Sequence, residues 1–257
     1  MSKGVKSKGL ILCATEFEMA RFLENKVGLV KEKTLSGLTL YSGVSFDCLI
    51  TGPGVFNTAH ALTVYLEHAR PNLILDTGIA GIFDCSGSDK PAMAQGIGRI
   101  GRIGDIGIAN REQYIHTGVG CHTPEVSCLP FDLIENRSLT RQGIYPIDPN
   151  LFELYYGILT REFTDPIVRG NFITVSSITA TLEQAQKNYQ LFSCVMEAME
   201  GAAALHVATL YHVPIIEIRA ASNFVGERDK DKWDLPLACD RVRQICDVVI
   251  ANEFKTA

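Results

Sequence analysis

The chain has 257 residues and a net charge of -5, with 24 lysines and arginines against 29 acidic residues. That length buries one substantial core, and 46% hydrophobic with 21% charged residues is an ordinary globular composition. The mildly acidic balance, with no basic cluster to offset it, argues against a nucleic-acid partner, and no run reaches the roughly 20 apolar residues of a membrane span.

The basic start Met1–Lys8 leads into the apolar Gly9–Ala14, which is too short for a signal peptide. Glu16 and Glu18 fall where a cleavage site would be needed, so the reading is the first buried strand of a cytoplasmic protein. Short apolar runs then alternate with amphipathic stretches, the pattern of an α/β layer fold. Strands are expected at Gly9–Ala14, Leu38–Ser42, Phe46–Thr51, Asn72–Thr77, Ile106–Asn110, Asn171–Val175 and Pro214–Ala220. Helices are expected at Glu16–Asn25, Phe56–Ala69, Pro149–Thr160, Leu182–Tyr189, Gly201–Tyr211 and Leu235–Glu253. In the second helix Ala59, Leu62, Val64, Tyr65 and Leu66 form an apolar side, and in the last Leu237, Val242, Ile245, Val248, Val249 and Ile250 do the same. No linker divides the chain, so residues 1–257 are expected to be one domain. The least regular stretches, Cys85–Arg102 and His116–Phe131, read as surface loops.

Within the first of these, Gly96-Ile-Gly98-Arg-Ile-Gly101 matches GxGxxG on paper. A dinucleotide site needs a strand before it and a helix after it; here a polar loop precedes, and Gly104 and Gly107 follow too soon for a helix. A turn leading into a strand is expected instead. The eight cysteines, at 13, 48, 85, 121, 128, 194, 239 and 246, form no CxxC pair and read as reduced, mostly buried thiols. Cys121-His122 with Cys128 fits no familiar zinc spacing, so no metal is expected.

Two glycine turns are better placed for a ligand. Phe46–Thr51 runs into Gly52-Pro-Gly54 and a helix, and Asn72–Asp76 runs into Thr77-Gly78-Ile-Ala-Gly81. In open α/β sheets ligands bind beyond the carboxyl ends of strands, where glycine lets backbone come close; a tight connection alone would also favour glycine.

The segment from Met199 to Asn223 is more specific. Met199-Glu200-Gly-Ala-Ala is followed by a strand ending in Arg219-Ala-Ala-Ser222-Asn223, then by Phe-Val-Gly-Glu-Arg228-Asp-Lys-Asp-Lys-Trp233. "MEGAA" with "RAASN" resembles the nucleoside phosphorylase/5′-methylthioadenosine nucleosidase superfamily, and the tail SNFVGERDKDKW resembles its futalosine hydrolase branch. The resemblance runs nearly the length of the chain. Ala14–Glu18 is similar to the acidic loop after the first strand, Gly52–Gly54 to the second loop, Thr77–Gly81 to the third, and Thr174–Thr179 to the base-pocket loop.

The resemblance implies a three-layer αβα sandwich around a twisted mixed β-sheet, and hydrolysis of futalosine to free hypoxanthine in a menaquinone route. Another nucleosidase or phosphorylase of the superfamily, acting on methylthioadenosine, S-adenosylhomocysteine, aminofutalosine or inosine-like nucleosides, is the alternative. Glu18, Arg219 and Asn223 carry over as catalytic residues, and Met199, Glu200, Ile79, Ala80, Gly81, Ser222 and Thr179 as substrate-binding ones. A homodimer or higher homo-oligomer is implied, and the chemistry calls for no cofactor.

The chemistry agrees. Breaking a glycosidic bond makes the sugar oxocarbenium-like, and a carboxylate at its hydroxyls stabilises that charge; Glu200 fits, with Met199 against the sugar. A second carboxylate must activate water, and by resemblance that is Glu18, although an acid in a first helical turn is also favoured by the helix dipole alone. Arg219, a charge at the end of an apolar strand, needs a partner: it either orients Glu18 and its water or makes a structural ion pair. Glu16 and Glu18, with no arginine in Leu75–Gly81, disfavour phosphate, though Arg21 could reach the site. Ile79 stands where methylthioadenosine nucleosidases carry a serine, and Ala221 where isoleucine is usual. Asn223 stands where adenine-cleaving relatives carry aspartate. Its amide could donate to both N7 and O6 of a 6-oxopurine, but it cannot act as a general acid. Arg228, Lys230, Lys232 and Trp233 either meet a carboxylated substrate tail or form a solvated loop.

Overall fold

The computed structural model describes residues 8–24, 26, 28–34, 36–84, 101–119 and 128–253. Gly96–Ile100, Cys85, Cys121 and His122 therefore lie outside the described residues, as do much of the two irregular loops and the first seven residues. Among those described, Cys13, Cys48, Cys194, Cys239 and Cys246 are buried free thiols and Cys128 is exposed.

Among the described residues ten strands form one mixed sheet. They are β1 (Gly9–Cys13), β2 (Val30–Lys33), β3 (Thr39–Ser42), β4 (Phe46–Ile50), β5 (Ile74–Ile82), β6 (Ile106–Tyr114), β7 (Ile144–Pro146), β8 (Val168–Thr174), β9 (Cys194–Ala198) and β10 (Ile215–Phe224). The order is β10-β6-β8-β9-β5-β1-β4-β3-β2, with β7 on β6, and β10 also pairs with β5. Strands β5, β10, β6, β8 and β9 thus close on themselves like a small barrel, while β1, β4, β3 and β2 extend as a wing.

Among the described residues six α-helices cover this sheet: α1 (Glu16–Glu24), α2 (Val55–Leu66), α3 (Pro149–Glu162), α4 (Leu182–Phe192), α5 (Gly201–Tyr211) and α6 (Leu235–Glu253). Helices α1 and α6 pack on each other, with α6 against β5 and β10, and α2 pairs with α5. The expected apolar stripe of α6 holds, with Val242, Ile245 and Val249 fully buried. Helix α3 starts as its sequence dictates: the Asp148 carboxylate accepts from the Asn150 and Leu151 amides, and Pro149 fills the first position, which needs no N–H. Among the described residues no helix is long and apolar enough to cross a membrane.

Three strands were not foreseen. Strand β2 reads Val-Lys-Glu-Lys, is exposed throughout and sits at the sheet edge, where lysines guard an unpaired ladder. Strand β7 has three residues and ends in proline. Strand β9, Cys-Val-Met-Glu-Ala, is buried at every position and so lacks the polar–apolar alternation that marks a strand. Strand β6 runs past the expected Asn110 to Tyr114 and β8 begins at Val168, before the expected Asn171. Two further extensions shape the site. Thr77–Gly81, expected as a turn, is the second half of β5, and Ala221–Asn223 continues β10. The cause is the close pairing of β5 with β10, which holds both strands extended from Ile215↔Ile74 to Phe224↔Ile82, with a bulge between Ala221 and Asn223.

Candidate active site

A cavity of about 420 Å³ opens where β5, β9 and β10 end, a size suited to a small-molecule ligand. Its walls include Glu18, Ile79, Ala80, Gly81, Thr179, Met199, Glu200, Ser222 and Asn223, so nine of the ten site residues expected from sequence come together there. The tenth, Arg219, lies fully buried and is not part of the cavity wall.

Glu18 sits in the first turn of α1, and it is the Thr15 hydroxyl that aims it. That hydroxyl accepts from the Glu18 amide at 3.3 Å and donates to Glu18 Oε2 at 2.6 Å. The Ile79 amide donates to Glu18 Oε1 at 3.0 Å, tying the carboxylate to β5. This approach needs Gly78: a Cβ there would lie 2.8 Å from Glu18 Oε1 and 3.0 Å from Arg219 Nη1. Glu18 is 5% exposed, so it meets little water outside the cavity.

Glu200 immediately precedes α5. Its Oε1 accepts from the Gly54 amide at 2.9 Å, and its Oε2 from the Met199 amide at 3.2 Å and Arg219 Nη1 at 3.5 Å. Gly54 has φ of +89°, a conformation glycine alone adopts freely, so the Gly52-Pro-Gly54 turn presents an N–H to the carboxylate.

Arg219 stands opposite Gly78 in the β5–β10 register. Its Nη2 donates to Asp76 Oδ2 and its Nε to Glu217 Oε1, both at 2.9 Å, alongside the contact to Glu200. Arg219 was expected either to orient Glu18 and its water or to make a structural ion pair; its ion pairs run to Asp76, Glu217 and Glu200. Burial pushes the Asp76 carboxyl up, and the arginine beside it pulls the other way. A fixed cation thus stands behind Glu200 in a region closed to water.

The base end carries Asn223. Its Oδ1 accepts from the Ser222 hydroxyl at 2.8 Å, and its Nδ2 donates to the Phe224 carbonyl at 2.9 Å. One amide hydrogen is therefore committed to backbone, and a single N–H is left for a ligand where two were expected.

Glu197 was not foreseen as a site residue. It lines the same cavity, is 7% exposed, and accepts from the Thr179 amide at 3.0 Å and the Thr179 hydroxyl at 2.5 Å. Burial raises its pKa, while the Thr179 bonds and Arg228 oppose the rise. The available signal was an acid inside an apolar run, Cys-Val-Met-Glu-Ala, which must have partners to be buried there.

Two flanking expectations need correction. Glu16 is not a cavity residue; it pairs with Lys31 at 2.7 Å and accepts from the Tyr41 hydroxyl. Arg21 extends to Asp240 on α6 at 3.8 Å. In the tail loop Arg228 lines the cavity and stacks on Trp233 with 5.1 Å from guanidinium to ring centre, while Lys232 pairs with Glu227. Among the described residues of the wall, three carboxylates (Glu18, Glu197, Glu200) face one arginine, Arg228. That balance disfavours an anionic nucleophile such as phosphate.

Known proteins are similar over almost the whole chain. The family model described as phosphorylase superfamily matches residues 8–251. A futalosine hydrolase from Acidothermus cellulolyticus is 31% identical over 198 residues, spanning 76% of this chain and 71% of the relative. A 5′-methylthioadenosine/S-adenosylhomocysteine nucleosidase from Maridesulfovibrio salexigens is 26% identical over 222 residues, 84% of this chain and 86% of the relative. Among solved structures, the Helicobacter pylori 5′-methylthioadenosine/S-adenosylhomocysteine nucleosidase superposes with a TM-score of 0.77 at 17% identity, covering 97% of this chain and 99% of that one. A futalosine hydrolase mutant from the same species gives 0.76 at 16% identity, covering 95% and 99%. At such identities the structural likeness establishes the shared mixed α/β fold.

Proposed function

Since the chain belongs to the phosphorylase superfamily, we propose that it is a purine nucleosidase that hydrolyses the N-glycosidic bond of futalosine and releases hypoxanthine. The observation that carries this reading is one cavity holding two separately anchored carboxylates, Glu18 and Glu200, with the amide of Asn223 beside them.

In the proposed reaction Glu200 accepts hydrogens from the ribose hydroxyls and lies close to the charge that grows on the sugar. Arg219 and the Gly54 amide hold it in place, so little reorganisation is needed as the bond breaks. Glu18, kept as an acceptor by Thr15 and Ile79, takes a proton from the attacking water. Water attacks C1′, the C1′–N9 bond breaks, and its electron pair leaves with the base. The base departs with the remaining Asn223 N–H donated to it, and a 6-oxopurine shares the resulting charge with its oxygen.

The 31% identity to a futalosine hydrolase supports a 6-oxopurine substrate, as does an asparagine at position 223. Arg228, stacked on Trp233 at the cavity, offers a partner for a carboxylated tail. The second reading is cleavage of methylthioadenosine or S-adenosylhomocysteine, favoured by the longer match to a nucleosidase so described. Incubation with futalosine, and separately with methylthioadenosine, followed by chromatography of the free base with and without phosphate, separates them. Hypoxanthine released without phosphate supports the proposal. Adenine alone, or dependence on phosphate, refutes it.

A further inference from the structure

Asn223, Gly81 and Glu197 stand in one row across the sheet. Asn223 on β10 pairs with Gly81 on β5, and Gly81 pairs with Glu197 on β9. Residues directly opposite each other point to the same face, and here that face is the cavity. Two strand spacings, roughly 9–10 Å, separate the outer backbones. Between them Gly81 has no side chain; a Cβ there would come within 2.9 Å of Val225 Cγ2 and 3.6 Å of Asn223 Nδ2. The row is a slot with the Val225 side chain against its floor and a polar group on each side.

The two sides have opposite hydrogen-bonding character. Asn223 presents its remaining N–H, since Nδ2 donates its other hydrogen to the Phe224 carbonyl and Oδ1 lies 2.8 Å from the Ser222 hydroxyl. Glu197 is fixed as an acceptor by a relay of donors. Gln184 Nε2 donates to Asn188 Oδ1 at 2.8 Å, and Asn188 Nδ2 donates to Thr179 Oγ1 at 3.1 Å. The Thr179 hydroxyl must then spend its hydrogen on Glu197 Oε2, while its amide serves Oε1. Every hydrogen runs toward the carboxylate, and each carboxylate oxygen has a second lone pair to offer. Facing a cavity, such a group calls for an N–H on the ligand.

We propose that Glu197 is the specificity residue of the base slot, accepting the N1–H of a 6-oxopurine while Asn223 donates at the O6 and N7 end of the same edge. A 6-oxopurine carries a hydrogen on N1; a 6-aminopurine carries a lone pair there and would set it against the carboxylate. The inference rests on the nucleosidase reading above and adds to it the group that rejects adenine.

Binding of the free bases hypoxanthine and 1-methylhypoxanthine, measured by calorimetry on wild type and on Glu197→Ala, tests it without depending on turnover. Wild type should bind hypoxanthine on the order of 30–100-fold tighter than the N1-methyl base. In Glu197→Ala, where the methyl group finds room, that ratio should fall below about threefold. The milder Glu197→Gln should raise KM for futalosine more than it lowers kcat, and should shrink the preference for futalosine over its 6-amino counterpart. Equal binding of the two bases by wild type, or an unchanged ratio in Glu197→Ala, overturns the role of Glu197 while hypoxanthine release from futalosine still stands. If wild type releases no hypoxanthine from futalosine, both the function and this inference fall.

Discussion

The Gly54 amide donates to Glu200 Oε1 at 2.9 Å, joining two residues 146 positions apart through a turn whose φ is +89°. A Cβ on Gly54 would meet no atom within 4 Å, so alanine there is opposed by backbone conformation alone. A left-handed conformation costs a non-glycine residue about 1–2 kcal/mol. Either the turn keeps its shape and stability falls by that amount, or it relaxes and the amide leaves Glu200. Gly54→Ala should therefore lower Tm by roughly 2–8 °C, or raise KM about tenfold with Tm unchanged. Thermal melts and steady-state kinetics on the same preparation decide between the two. A variant unaltered in both would show that this bond does not hold Glu200.

Glu18→Gln keeps the size of the side chain and an oxygen for the Ile79 amide, but it removes the base. Loss of a general base of this kind lowers kcat on the order of 10²- to 10⁴-fold. Binding of a non-hydrolysable nucleoside analogue should stay within about threefold of wild type, since the ribose and base contacts are elsewhere. Turnover at the wild-type rate would remove Glu18 from the mechanism. A parallel loss of binding would make it a substrate-holding group instead.

The sequence made Glu18, Glu200 and Asn223 legible because each sits in a short run of recognisable residues, and the strongly periodic helices α2 and α6 were legible for the same reason. Asp76, Glu197 and Glu217 were not. Each is a single acid within an apolar strand, and its purpose depends on what lies across the sheet. Arg219 meets Asp76 because β10 pairs with β5, a register set by contacts 143 residues apart. Glu197 meets Thr179 because β9 and the loop after β8 end at the same place. Local spacing carries no trace of either pairing. The extension of β5 through Gly81 escaped notice for the opposite reason, since glycines that signal a turn are here strand residues that make room for Glu18 and for the slot.

Arg219 should be intolerant of neutral replacement. It is fully buried and paired with Asp76, Glu217 and Glu200, so methionine would leave three buried carboxylates without their cation. Breaking a buried pair by removing one partner costs about 3–5 kcal/mol. Arg219→Met is expected to melt at least roughly 6–10 °C lower or to be insoluble, whereas Arg219→Lys keeps the charge and loses the fork. The lysine variant should fold, melt a few degrees lower and show a raised KM as Glu200 loosens. A stable methionine variant with wild-type kinetics would mean the carboxylates are neutral without Arg219.

The proposed reaction leaves one pair of buried carboxyls unused. Glu112 and Glu217 meet over Gly201, where a Cβ would lie 2.5 Å from Glu112 Oε1 and from both Glu217 oxygens. Both are fully buried. Glu112 accepts from the Gln113 amide at 2.7 Å and Glu217 from Arg219, and one oxygen of each has no other partner. Two facing carboxyls with one cation nearby are best satisfied by sharing a proton. Burial, followed by the charge of Glu217, holds the Glu112 pKa well above its ordinary value, and burial likewise raises Glu217 against the pull of Arg219. The folded state thus binds a proton that the unfolded chain releases near pH 4.3. Stability from this group is fully present below that pH and is lost as pH rises through the folded-state value. Each unit of upward shift costs about 1.4 kcal/mol once the unfolded chain is ionised. Glu112→Gln supplies a permanent N–H donor to Glu217 and removes the titration. Its Tm should exceed wild type by roughly 2–4 °C or more at pH 7 and converge with it near pH 4. Melting curves taken across that range would show a flatter pH dependence in the variant, and an unchanged slope would mean that the two carboxyls share no proton.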